Sequence, residues 1–192
     1  GLGKNNLHTL KLDINCVDSH ASFLNNIRNL GKIDVAIFLP ALLLGKSLKD
    51  YVGDEIKEVI DTNFSSQISL FQKLMRLFSK NASVIFMSSI SGQRGSYDPI
   101  YSASKAAQIG FIKSIALWEG SKIRINGIAP SLVENSSMFD EMATKRQKYH
   151  MSQSPTGKLT SKKEIAKIVF DISGKSWGNV NGQIISVNGG IL

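Results

Sequence analysis

Tyr101 and Lys105 stand four residues apart in Tyr101-Ser102-Ala103-Ser104-Lys105, a spacing that puts both side chains on one face of a helix. An ammonium held beside a phenol favours the phenolate and lowers the pKa of the hydroxyl. The product is a proton donor and acceptor that works near neutral pH, which the interconversion of an alcohol and a carbonyl requires. The spacing alone recurs by chance, so the flanking segments have to carry the reading.

Upstream, Val84-Ile85-Phe86-Met87-Ser88-Ser89-Ile90-Ser91-Gly92 reads as a buried strand that ends in hydroxyls and a glycine turn. Downstream, Ile123-Arg124-Ile125-Asn126-Gly127-Ile128-Ala129-Pro130 reads as a second strand, stopped by its proline. Residues 7–12 are β-prone. Asp18-Ser19 is expected to cap a helix reaching about residue 30, with Phe23, Leu24, Ile27 and Leu30 on one face and Gly31 as its stop. A buried strand is expected over 33–39. One long helix is expected over 54–80, from Ile56, Val59, Ile60, Phe64, Ile68, Phe71, Leu74 and Leu77 at helical spacing. A helix over 101–118 carries the small residues Ala103, Ala106, Ala107 and Gly110. Past a Met- and Ser-rich stretch to Thr160, Ser161 and Glu164 form a capping box. Residues 183–187 are the last strand, before a turn at Gly189-Gly190. Strands alternating with helices predict a doubly wound α/β fold with a parallel sheet covered on both faces. Ligands on such sheets bind at the carboxyl ends of the strands. Ser89, residues 126–130 and the loop after Ile37 all fall there.

With 192 residues and 42% of them hydrophobic, the chain can bury one core, and a single domain over 1–192 is expected. Cys16 is the only cysteine, so no disulfide forms within the chain. It reads as a small apolar residue. No apolar run is long enough to span a bilayer, and the N-terminal residues carry no signal-peptide pattern, so a cytoplasmic protein without a membrane partner is expected. The net charge of +8 is scattered, dense only at Lys145-Arg146-Gln147-Lys148 and 158–163, with no aromatic–basic stripe. A solvated surface is the expectation, not a nucleic-acid partner. No Gly-x-Ser-x-Gly elbow accompanies His8, His20 or His150, and no metal-ligand spacing occurs, which argues against a hydrolase or a metal site.

Strand, serine loop, Tyr-x-x-x-Lys helix, strand and Asn126-x-x-x-Pro130, in that order, resemble the short-chain dehydrogenase/reductase family over about residues 7–190. The resemblance implies a three-layer, Rossmann-like fold, NAD or NADP as cofactor, and interconversion of a secondary alcohol and a ketone by hydride transfer. It implies that Tyr101 handles the proton, and that Lys105 lowers the Tyr101 pKa and holds the cofactor ribose. Ser89 would polarise the carbonyl, and Asn63 would anchor a water leading to Lys105. Ser88 competes with Ser89, which is preferred because Gly92 follows it as in the family's Ser-x-x-Gly turn. Asp13 matches the residue that contacts adenine, and equally reads as a loop acid. Pro130, Ser131 and Asn135 match the nicotinamide-binding stretch, with Ser131 replacing a glycine and Asn135 a threonine. Asn63 also reads as an interior polar residue, and Lys105 as a surface lysine with a buried stem.

The sequence departs from the family in two places. Phe38-Leu39-Pro40-Ala41 stands for the family's Asn-Asn-Ala-Gly. No glycine-rich TGxxxGxG loop occurs, so the chain reads as starting at the third strand of the fold, with Gly1-Leu2-Gly3 a weak echo of the loop. These departures motivate a competing reading, a catalytically silent binding or scaffolding protein. Phe139, Met142, Tyr149 and Met151 in the 131–160 segment are expected to line a substrate pocket or simply to pack a short helix. A homodimer or homotetramer is expected through the two long helices, with Ala106, Gly110 and Phe111 at the contact.

Overall fold

The computed structural model describes residues 7–191; Gly1-Leu2-Gly3 lies outside the described residues. Strands β1 (Ile33–Phe38), β2 (Phe78–Met87), β3 (Ile123–Pro130) and β6 (Ile184–Val187) form a parallel sheet in the order β1-β2-β3-β6. Short β4 (Val133–Glu134) and β5 (Thr160–Ser161) pair separately. The apolar run of β2 serves both faces of the sheet, as a central strand of a parallel sheet must. Val84 and Phe86 face a core closed by α1 (Val17–Arg28), α3 (Ser66–Leu74) and α5 (Pro99–Glu119). Ile85 joins Ile128 under α8 (Lys162–Ser173) on the other side. The result is three layers, α/β/α.

The links β1→β2 and β2→β3 run through α3 and α5 on one face, whereas β3→β6 runs through α8 on the other. All three step the same way across a parallel sheet. The last crossover therefore has the opposite hand to the first two, and the usual right-handed rule leaves it as the left-handed exception.

Helix ends follow local chemistry. Asp98 caps α5 by accepting from the Tyr101 amide, with Pro99 at the first helical position. Ser161 and Glu164 form the expected capping box on α8, and the backbone and side-chain hydrogen bonds of Ser161 hold the Glu164 carboxyl down at about 2. Arg124, buried on β3, donates to the carbonyls of Ile172, Ser173 and Gly174 at the other end of α8, where a cation suits the helix dipole.

Several expectations need correction. Residues 7–12 form no strand; Leu7 is 83% exposed, and Leu12 and Ile14 pack against the core as the lead-in to α1. Ser19 does not cap α1, which begins after Cys16; its hydroxyl accepts from the Asp13 amide instead. Cys16 is exposed. β1 is not buried on both faces: Val35 and Ile37 are 42% and 44% exposed on an edge strand. The long helix ends at Leu74, and 78–80 belong to β2. There Phe78 turns into the core beside Phe71, and Asn81, at φ 65°, accommodates the register shift against β1. Phe111 does not face outward; it packs on Phe64, Phe71 and Phe86. Among the described residues, no helix is long and apolar enough to cross a membrane.

Candidate active site

The rim at the carboxyl ends of β1, β2 and β3 receives the first turns of α5. Tyr101 and Lys105 are both buried, Lys105 to 1% exposure, so it is not a surface lysine. The turn after β2 reaches them because Gly92 lacks a side chain: a Cβ there would lie 2.6 Å from the Lys105 carbonyl carbon and 2.8 Å from the Ala106 nitrogen. The Ser88 hydroxyl donates to the Lys105 carbonyl at 3.1 Å and is thereby committed to packing the turn. The Ser89 hydroxyl accepts from the Ser91 amide at 3.1 Å and lies near enough to the Tyr101 phenol to pull its pKa down. Ser89 and Tyr101 therefore present two hydroxyls side by side.

The Lys105 ammonium does not bond the phenol. It donates to the Met87 carbonyl at 2.7 Å and lies 5.8 Å from the centre of the Tyr101 ring. Burial lowers the Lys105 pKa to about 8. The Tyr101 pKa is raised, not lowered as the spacing predicts. Burial is the largest cause, the Ser89 hydrogen bond opposes it, and the charge of Asp98 adds to it. Desolvation outweighs the pull of Ser89, so the phenol holds its proton at neutral pH.

Asn63 sits in a π-helical turn, Asp61–Ser65, between α2 (Glu55–Ile60) and α3. Its amide exchanges hydrogen bonds with Leu42 N (2.6 Å) and Leu42 O (2.9 Å) and donates to Ser104 Oγ at 3.0 Å. Ser104 in turn donates to the Tyr101 carbonyl. The Asn63 carbonyl, freed by the wide turn, accepts from Gln67 Nε2 at 3.1 Å and Gln108 Nε2 at 2.8 Å. Asn63 thus ties the loop after β1 to α5. Its carbonyl is already taken by two amides. Gln67 and Gln108, fully buried, were missed by sequence reasoning; polar residues at apolar helical positions were their only signal.

The other expected residues gather less tightly. Asp13 is exposed, and its carboxylate accepts from the Asn15 amide as a loop acid does. Asn15 reaches Thr62, which keeps this loop beside the Asn63 turn. Pro130 ends β3, and the Ser131 amide donates to the Val187 carbonyl. Asn135 is exposed in a left-handed conformation, φ 57°. Phe38 stacks on Phe86 at 4.4 Å, and Gln67 donates to the Pro40 carbonyl, so packing replaces the polar pair expected at Phe38-Leu39. The apolar residues of the 131–160 segment divide: Tyr149, on α7 (Thr144–Ser152), is 60% exposed and Met151 is exposed too, whereas Phe139 and Met142 are half-buried. Among the described residues, no group of three or more His, Cys, Asp or Glu could hold a metal ion.

Comparison with known proteins places this geometry. The family model described as enoyl-(acyl carrier protein) reductase matches residues 2–192. The 3-oxoacyl-(acyl-carrier-protein) reductase FabG of Salmonella typhimurium is 30% identical over 187 residues, 95% of this chain and 76% of the relative. The chain belongs to the short-chain dehydrogenase/reductase family. The FabG of Buchnera aphidicola is 29% identical over 98% of the chain and 78% of its own length. Two solved structures share the fold at 23% identity. A short-chain dehydrogenase/reductase from Brucella melitensis, described as glucose/ribitol dehydrogenase, has a TM-score of 0.92 over 99% of this chain and 78% of its own. A short chain dehydrogenase family protein from Francisella tularensis has 0.90 over 99% and 83%.

With the family goes the class of activity, an NAD(P)-dependent oxidoreductase. Lys105 and Tyr101 are the residues that would hold the ribose of such a dinucleotide. Lys105 has one hydrogen-bond partner among the described residues, which leaves donors of its ammonium for the vicinal hydroxyls of a ribose. The Tyr101 phenol stands beside it on the same face of α5.

Proposed function

We propose that this short-chain dehydrogenase/reductase reduces the keto group of a 3-oxoacyl thioester to a secondary alcohol. The observation that carries the reading is the pair of neighbouring hydroxyls, Ser89 and Tyr101, beside a buried lysine. Both the family model and the relatives are named for acyl-carrier-protein reductases. Two donors that converge on one oxygen suit a ketone, whose oxygen must take up a proton, better than a carbon–carbon double bond.

Ser89 would hold and polarise the carbonyl oxygen, and Tyr101 would give it the proton as negative charge develops. The raised Tyr101 pKa keeps that proton on the phenol at neutral pH. Lys105 and Tyr101 would hold the nicotinamide ribose; Pro130, Ser131 and Asn135 would border the nicotinamide, and Asp13 the adenine. When bound, NADPH or NADH supplies the hydride that the carbonyl carbon accepts. A second copy of the chain would use the open face of α5, where Ala106, Gly110, Leu117 and Trp118 are exposed; gel filtration at the mass of one chain rejects the oligomer.

The test is oxidation of NADPH or NADH by an acetoacetyl thioester, followed by nicotinamide absorbance. Tyr101→Phe should lower turnover at least about a hundredfold while leaving dinucleotide affinity, measured by calorimetry, within a few-fold. Full turnover in Tyr101→Phe rejects the assignment. A silent binding protein is favoured by one observation: the Asn63 carbonyl is already filled by Gln67 and Gln108. Absence of any dinucleotide heat in the same calorimetry decides for it.

A further inference from the structure

Asp98 is 2% exposed, and every group its carboxylate meets is a donor. Oδ1 accepts from Tyr51 Oη at 2.7 Å and from the Tyr101 amide at 2.9 Å. Oδ2 accepts from the amides of Gly45 at 3.0 Å and Lys46 at 3.4 Å. Only an ionised carboxylate, with acceptors and no proton of its own, satisfies such a set. Capping α5 needs one of these bonds. The others reach a separate stretch of chain, the loop that leaves the carboxyl end of β1. That loop is fastened on both sides of Asp98: Leu42 is held by Asn63, and Glu55 takes the Lys46 ammonium and the Val52 amide.

We propose that Asp98 is a positioning residue, a charged latch that fixes loop 41–51 against the first turn of α5 and so sets the wall facing Tyr101. The inference goes beyond the proposed reduction and uses it only in naming Tyr101 as proton donor. The latch has an electrical consequence. Its negative charge lies one helical turn before Tyr101 and disfavours the phenolate. The groups facing the Tyr101 phenol are then Ser89, Lys105 and Asp98; those facing Asp98 are Tyr51, the amides of Gly45, Lys46 and Tyr101, and beyond them the Lys46–Glu55 ion pair. Tyr51 shares the effect: burial first, then its hydrogen bond to Asp98, pushes its hydroxyl far above the usual tyrosine range. Tyr51 therefore stays a donor at every pH where the fold survives, and the latch does not open by tyrosine ionisation.

The experiment uses the full chain labelled with carbon-13 at tyrosine Cζ, so that each phenol titrates separately by nuclear magnetic resonance, with no dinucleotide or substrate present. In Asp98→Asn, the new side-chain amide confronts the donors of Gly45 and Lys46 where an acceptor stood. Tyr101 should titrate at lower pH than in the wild type, and amide exchange at Gly45 and Lys46 should quicken by about tenfold or more. Asp98→Ser keeps a capping oxygen but neither the charge nor the reach. It should reproduce both changes with helix content unchanged by circular dichroism, which separates the latch from the cap. An unmoved Tyr101 titration in both variants, or undiminished protection of Gly45 and Lys46, overturns the proposal. Because no turnover is read, failure of the reductase assignment would leave this result standing. Where turnover is measurable, KM for the thioester should rise by a larger factor than kcat falls.

Discussion

Lys105 is held in the interior by a single carbonyl, and its burial has a measurable sign. Its pKa falls from the ordinary 10.5 to about 8 in the folded protein. Below pH 8 the lysine is charged in both states and the folded state bears the whole desolvation penalty, roughly 3 kcal/mol. Between about 8 and 10.5 the folded amine has lost its proton while the unfolded one keeps it, so stability climbs with pH; above that window the penalty is gone. Lys105→Met should therefore unfold at a higher denaturant midpoint than the wild type at pH 7, with the gap closing towards pH 10.5, while activity is lost. A wild type that is already the more stable protein at pH 7 would show that the site accommodates the charge without cost. Such a trade of stability for function is common where a group is held in an unfavourable state for chemistry. The spacing of Tyr101 and Lys105 was legible because it depends only on helical period. The direction of the Tyr101 shift was not, since it turns on how deeply the helix start is buried and on Asp98, three positions earlier in sequence. The pair Asp98-Pro99 does carry a readable cap-and-first-turn signal. The Gly45, Lys46 and Tyr51 partners are far off in sequence and leave no trace in it.

At the scale of elements, one glycine decides whether the serine turn and α5 can meet. Gly92→Ala places a methyl against main-chain atoms of Lys105 and Ala106, which cannot swing aside as a side chain end can. The expected cost is about 1–3 kcal/mol of stability. Ser89 should shift off Tyr101 with it, so kcat should fall more than the stability loss explains. A variant with wild-type melting and turnover would mean that the turn is not held by this contact. The Ser-x-x-Gly spacing and the Ser161–Glu164 capping box were legible because each is a local rule with a fixed offset. The end of the long helix was not. Leu74 and Leu77 keep helical spacing across the turn that follows Leu74, so the period alone carries the helix into β2. The left-handed Asn81 and the wide turn at Asn63 are equally invisible to it. The wide turn depends on Gln67 and Gln108, contributed by two helices, to satisfy the carbonyl it frees.

For the molecule as a whole, the two margins of the sheet differ. At one margin, β1 has no strand partner on its outer side among the described residues, and on the sheet face opposite Ala36 and Phe38 it presents Val35 and Ile37. Unpaired, apolar strand margins template association with other chains. Val35→Lys should reduce concentration-dependent light scattering of the purified chain with little change in its unfolding midpoint; unchanged scattering would show that this margin does not mediate association. Alternation of strands and helices was enough to read the layers and the parallel sheet. The exposure of β1 depends on what lies beside it, which its own six residues do not encode. The opposite margin ends on β6, which arrives from the far face after α8. Its Val187 carbonyl receives the Ser131 amide. During synthesis that bond can form only after β6 has followed β3 out of the ribosome. The ledge beside Pro130 therefore sets after the tyrosine and lysine are already in register, so the order of synthesis, and not only the finished packing, decides when this rim is complete.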